Sequence, residues 1–318
     1  MRYINIFPIR HFLYLTLSSL ITAGASSPLA AQSLAQRLGY TDSTKLLILH
    51  ADDLGVAHAE NQASFEALFT GAVNSASIMA PCPWLAEVAN FSRGMPKADL
   101  GLHLTLTSEW RYLKWGPVAS RDSVSSLVDS LGHFYEDCGE MAAHAKPEEV
   151  ERELRAQIEK ALKMGINPTH FDSHMGCLHW TNLSFFEIYL KLGREYKVPV
   201  RLSRNLLSAL PDSVQKAVQA RDIVIDNTYT ASPEDFKKGM SQFYEQVLRG
   251  LQPGVSELVI HLAYDNAEMR GVTVDHPDWG AAWRQADFNF FTSDACKTLL
   301  NEKGIQLVTW REIGRLLK

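Results

Sequence analysis

The chain has 318 residues, 46% hydrophobic and 21% charged, which is ample material for one large α/β domain or two small ones. A formal net charge of -5 argues against nucleic acid as the main partner and suits a neutral or weakly polar substrate. Cys82, Cys138, Cys177 and Cys296 are widely spaced with no C-x-x-C pair, which argues against a zinc–cysteine site and leaves disulfide pairing open.

Arg2 and Arg10 precede a short apolar run, 12–21, and small residues follow at Ala23-Gly24-Ala25 and Pro28-Leu29-Ala30-Ala31. A basic start, a short apolar middle and an A-x-A-like end read as a secretory signal peptide. The run is short for a membrane span. Residues 1–31 are therefore expected to be signal and lead-in, and 32–318 a single domain. That domain is expected in the periplasm or outside the cell, free of the membrane once the signal is cut, where disulfides are permitted.

Strand one is expected over 45–50, an apolar run of the kind buried on both faces of a parallel sheet. It delivers Ala51-Asp52-Asp53-Leu54-Gly55, two adjacent carboxylates and a glycine, at the strand end where α/β folds place ligands. One Asp alone reads as a helix cap. Two, with histidines at later strand ends, read as partners of a metal ion. A helix is expected over 59–69, a strand over 76–80, a helix over 85–91 and a strand over 99–106 carrying His103. The stretch 107–146 is irregular, and its aromatic residues argue for order. Pro147-Glu148-Glu149 opens an amphipathic helix that Lys160 and Lys163 close. A strand over 168–172 runs into His174, followed by a helix over 182–196 and strands over 198–202 and 223–225. A helix over 233–251, a strand over 258–262 ending near His261, a loop with Trp279 and Trp283, a helix over 289–303, a strand over 305–309 and a short helix complete the chain.

Strand and helix thus alternate seven or eight times, which predicts a parallel sheet with helices outside. At this length the expectation is a TIM-like (β/α) barrel, irregular forms included. Asp52, Asp53, His103, His174 and His261 then converge on one rim. Two histidines and a carboxylate are a common divalent-metal set with positions left for water and substrate. His170 reads as structural, His50 as packing or hydrogen-bonding beside the site, and His179 as near the rim. His58, His133, His144 and His276 fit surface or loop roles.

His50-Ala51-Asp52-Asp53-Leu54-Gly55, Gly101-Leu102-His103-Leu104-Thr105 and Thr169-His170-Phe171-Asp172-Ser173-His174-Met175-Gly176 resemble the three signatures of the YdjC family, the ChbG-like carbohydrate deacetylases related to polysaccharide deacetylases. Val259-Ile260-His261 resembles the family's late histidine strand. The resemblance covers nearly all of the chain after the signal. It implies a (β/α) barrel that removes acetyl groups from N-acetylated sugars with one divalent ion, Zn²⁺ or Mg²⁺. Carried over, it makes Asp53, His103 and His174 the metal ligands, Asp52 the general base and His261 the general acid; Asp172 is a candidate to orient a ligand histidine, a role the match itself does not assign. Leu54 after Asp53, Gly176-Cys177-Leu178-His179-Trp180 after His174, and Thr107-Ser108-Glu109-Trp110 depart from the family's familiar members and put the substrate in question. The alternatives are a metallohydrolase of another amide or ester, and a non-catalytic carbohydrate-binding barrel. Trp110, Trp115, Trp180, Trp279 and Trp283 are candidates for stacking on sugar. Arg284 and Asp287 fit either the rim or a salt bridge.

Overall fold

The computed structural model describes residues 32–317, so the expected signal segment lies outside the described residues. Strand β1 (Lys45–Leu54) is the hub and is longer than expected, carrying Asp52 and Asp53 within it. Along one edge it pairs with β6 (Gly254–Ile260) from Lys45 to Ala51. Its other edge is shared: β7 (Ile305–Leu307) lies opposite Lys45 to Leu47, and β2 (Ser75–Ile78) opposite His50, Ala51 and Leu54. Asn74 fills the changeover. Its side chain accepts from Leu49 N–H at 2.8 Å and donates to the Val308 carbonyl at 2.8 Å, so neither edge loses a backbone partner.

With β3 (Leu100–Leu104), β4 (Phe171–Ser173) and β5 (Asn227–Thr230), the order is β4-β3-β2-β1-β6-β5, and every pair is parallel. The strands expected over 198–202 and 223–225 exist only as single bridges, Phe171 to Val200 and Ser203 to Ile225. Backbone bonds from Arg201 to Phe171 (2.8 Å) and from Ile225 to Leu202 (2.9 Å) carry the sheet from β4 to β5. The fold is thus the expected (β/α) barrel in irregular form, with its weakest wall there. Pro199 lacks the N–H that a full strand would need.

Helix Pro147–Lys163 follows its sequence signals and buries Val150, Leu154, Ile158 and Ala161. It also orders the irregular stretch. Glu153 accepts from the N–H groups of Val118 (2.9 Å) and Ala119 (2.8 Å), and Glu149 from Ser126 (2.8 Å). The helix expected over 233–251 breaks at Gly239, whose φ of 111° no helix accommodates, into Pro233–Lys238 and Met240–Gly250. Trp283 lies in a helix, Ala281–Phe291, rather than in a loop. Ser293 caps the next helix, Asp294–Glu302. Cys138 and Cys177 form a disulfide, while Cys82 and Cys296 are free and buried. Among the described residues no helix is long and apolar enough to cross a membrane.

Candidate active site

Parallel strands open their carboxyl ends onto one cavity of about 680 Å³, lined by Asp52, Asp53, His103, His174 and His261 among others. Asp53 has a φ of 71°, in the left-handed region that residues with a side chain seldom adopt. Gly55, two residues on, is fixed by its N–H donating to Asn61 Oδ1 at 2.8 Å.

Asp53 Oδ1 lies 3.3 Å from His103 Nε2 and 3.4 Å from His174 Nδ1. The far nitrogen of each ring is taken. His103 Nδ1 donates to Asp172 Oδ1 at 2.6 Å, and His174 Nε2 donates to Glu109 Oε2 at 3.0 Å. When the rings are neutral, as metal ligation requires, these outer bonds select tautomers whose inner nitrogens are lone pairs. Asp53 Oδ1 is itself buried and without a hydrogen-bond partner. Three electron-pair donors therefore face one point, and their donor atoms lie within 4.8 Å of one another. Burial disfavours charge on either ring, yet the carboxylates around them outweigh it. Asp52 and Asp172 push His103 up to about 9, and Glu109 and Asp53 push His174 up to about 10. Without a metal the pocket gathers protons where a cation would sit.

Asp52 Oδ1 is enclosed by His50 Nε2 (2.9 Å), the Ser77 hydroxyl (3.1 Å) and Arg201 Nη1 (3.2 Å). Oδ2 is left toward the pocket, 3.8 Å from His103 Nε2. Burial raises the carboxyl's proton affinity, but Arg201 and then His103 overcome it and hold Asp52 below the usual carboxylate range. Asp53 Oδ2 meets Arg284 Nη2 at 2.8 Å, and Arg284 also pairs with buried Glu60. His261 Nε2 stands 3.9 Å from Asp53 Oδ2, and its backbone N–H donates to Asp287 Oδ2 at 3.0 Å. Burial drives the His261 ring down to about 4 against the pull of Asp53, so it is neutral at ordinary pH.

The description YdjC-like protein fits residues 46–302 of this chain. The chain belongs to the YdjC-like family. A relative from Thermus thermophilus named carbohydrate deacetylase is 33% identical over 292 residues, spanning 89% of this chain and 99% of the relative. A carbohydrate deacetylase from Brevibacillus brevis is 30% identical over 278 residues, spanning 84% and 99%. A crystal structure from Enterococcus faecalis V583, provisionally described as a cellobiose-phosphate cleavage protein, matches with a TM-score of 0.70 at 26% identity, covering 85% of this chain and 99% of that one.

The YdjC-like site brings together all five residues singled out in the sequence. Asp172, a candidate to orient a ligand histidine, touches His103 and also lies 3.1 Å from His50. His170 stays out of the cavity, its ring stacked 5.3 Å from Trp310. His179 and His276 line the cavity, His276 from an exposed loop position as expected. Glu109, Arg201 and Glu60 were missed as site residues. Arg201 stands at the end of an expected strand, which was a usable signal. Glu109 was noted only as a departure from the family pattern. Arg284 and Asp287 are both buried in the network behind Asp53 and His261. Trp115 is buried away from the cavity, its indole donating to the Thr107 carbonyl at 2.8 Å, and Trp283 is buried between Trp279 and Phe236. Trp110, Trp180 and Trp279 line the cavity.

Proposed function

We propose that this YdjC-like chain is a divalent-metal-dependent hydrolase that removes acetyl groups from N-acetylated sugars or oligosaccharides. The relatives named carbohydrate deacetylase, matched over nearly their whole length, support the sugar and the acetyl group. One observation carries the metal: buried Asp53 Oδ1 faces the inner nitrogens of His103 and His174, three donor atoms within 4.8 Å of one another. Those three residues hold the ion, Zn²⁺ or Mg²⁺. Two imidazoles and a carboxylate suit Zn²⁺, whereas Mg²⁺ takes more oxygen ligands and water.

A divalent ion there supplies Lewis acidity toward water and toward the acetamide carbonyl. Asp52 is the general base. Arg201, His50 and Ser77 fix its Oδ1 and keep it ionised, and its Oδ2 accepts the proton of the attacking water. His261 is the general acid. It enters neutral; the proton that Asp52 takes from the water returns through His261 to the departing amine, a poor leaving group otherwise, and leaves Asp52 ionised again. Asp287 holds the His261 backbone, and Arg284 occupies the outer oxygen of Asp53 so that Oδ1 alone points inward. The basic and apolar start of the chain and the Cys138–Cys177 disulfide both support export to an oxidising compartment.

Acetate release from N-acetylated mono- and oligosaccharides, with metal-stripped and metal-restored protein, tests this reading. Release should require metal and fall about 10²–10⁴-fold in Asp52→Asn. Metal-bound protein that releases no acetate across the panel would exclude the deacetylase reading.

A further inference from the structure

Of the exposed large apolar side chains among the described residues, Met175 and Trp180 line the cavity. Trp180 is 54% exposed, whereas Asp53, His103 and His174 are buried, so the indole stands at the mouth and the ligands on the floor. The other cavity indoles are engaged by the protein. Trp110 lies beneath the Arg284 guanidinium at 5.6 Å, and Trp279 is stacked on Trp283 at 5.0 Å.

The Trp180 indole is nevertheless held in place. It lies against Gly176, where a Cβ would come within 2.7 Å of Trp180 Nε1 and where φ is 69°. The turn between them is pinned at both sides. Cys177 is bonded to Cys138, Leu178 N–H donates to Ser173 Oγ at 3.1 Å, and Thr181 Oγ1 donates to the Cys177 carbonyl at 2.7 Å. An exposed aromatic face that is already oriented loses little freedom when a flat apolar surface lands on it.

The charges of the cavity define what can land there. Its two arginines are committed: Arg201 to Asp52 and Asp172, Arg284 to Asp53 and Glu60. The wall beyond them offers the hydroxyls of Thr228 and Thr230, suited to neutral hydroxyls, while the Asn205 amide is bonded to the Thr228 backbone and Asp278 adds negative charge. A phosphate or carboxylate on the occupant would meet no free cation among these lining residues.

We propose that Trp180 is the platform for an uncharged sugar ring adjoining the ring that carries the scissile acetyl group. The preferred substrate is then a neutral N-acetylated oligosaccharide of at least two units. The proposal rests on the deacetylase reading for the identity of the inner ring, and its test separates the two.

The test is calorimetric titration of metal-loaded Asp52→Asn protein, with and without Trp180→Ala or Trp180→Phe. The probes are N-acetylglucosamine, its β-1,4-linked disaccharide, and that disaccharide carrying a 6-phosphate. The disaccharide should bind more tightly than the monosaccharide and than its phosphate. Trp180→Ala should weaken the disaccharide by about five- to tenfold, leave the monosaccharide unchanged, and Trp180→Phe should restore part of the loss. Metal content should not change. Equal weakening of mono- and disaccharide, no weakening of either, or tighter binding of the phosphate would overturn the proposal. Length-dependent loss at Trp180 in a protein that releases no acetate before the Asp52→Asn change would support the platform and defeat the deacetylase reading instead.

Discussion

Asp53 serves two partners with two oxygens. Oδ2 is neutralised by Arg284, which frees Oδ1 to face His103 and His174. Each of those rings is aimed by a carboxylate behind it, Asp172 for His103 and Glu109 for His174. Such partners fix the ring tautomer and strengthen the ligand. Glu109→Ala should therefore weaken metal binding by about 10–100-fold, with Glu109→Gln losing less because its amide oxygen still accepts from Nε2. Competition against a graded chelator measures this. Unchanged affinity in Glu109→Ala would detach Glu109 from the site. The five principal residues were legible because each sits at a strand end in a short motif. Glu109 was not, because its contact with His174 joins two loop segments that no local pattern relates, and Arg201, though near the end of an expected strand, meets Asp52 and Asp172 on other strands.

At the scale of elements, the long apolar run made β1 readable, and acids before bases made helix Pro147–Lys163 readable. Strand β5, Asn227-Thr228-Tyr229-Thr230, is polar and half-buried, so hydrophobic patterning pointed to 223–225 instead. The break at Gly239 was hidden by apolar spacing that continues on both sides of it. Disulfide pairing depends on where the 107–146 excursion lands, which spacing along the chain does not encode. That landing matters to the site. Cys138 and Cys177, 39 residues apart, tie the excursion to the turn that follows His174. Replacing both with serine should cost roughly 2–4 kcal/mol of stability. Chemical denaturation would reveal it, and a double variant as stable as the parent would deny the cross-link a stabilising part.

At the scale of the whole molecule, the barrel buries titratable groups that couple its stability to pH. His179, packed against Tyr189 and Phe186, is driven down to about 3 by burial, with Arg201 adding to the effect. Unfolded, it titrates near 6.5, so between about 6.5 and 3 the unfolded chain binds a proton that the folded chain refuses. Stability from this group is complete above that window and is lost as pH falls through it, by about 1.4 kcal/mol per pH unit. His179→Phe should flatten the fall in stability between pH 6.5 and 4.5, followed by urea denaturation. The same slope in variant and parent would contradict the burial argument. The barrel itself was legible from strand–helix alternation. Its irregular wall was not, since Val200, Ser203 and Ile225 close the ring through isolated bridges that resemble strands in composition alone.

The most direct measurement is elemental analysis of the purified protein beside Asp53→Ala, His103→Ala, His174→Ala and Asp52→Asn, each checked for folding by circular dichroism. The account predicts one divalent ion per chain in the parent and in Asp52→Asn, and loss of that ion in the other three. Full occupancy in the folded Asp53, His103 and His174 variants would contradict it, because the three electron pairs that meet at Asp53 Oδ1 would then not be what holds the metal.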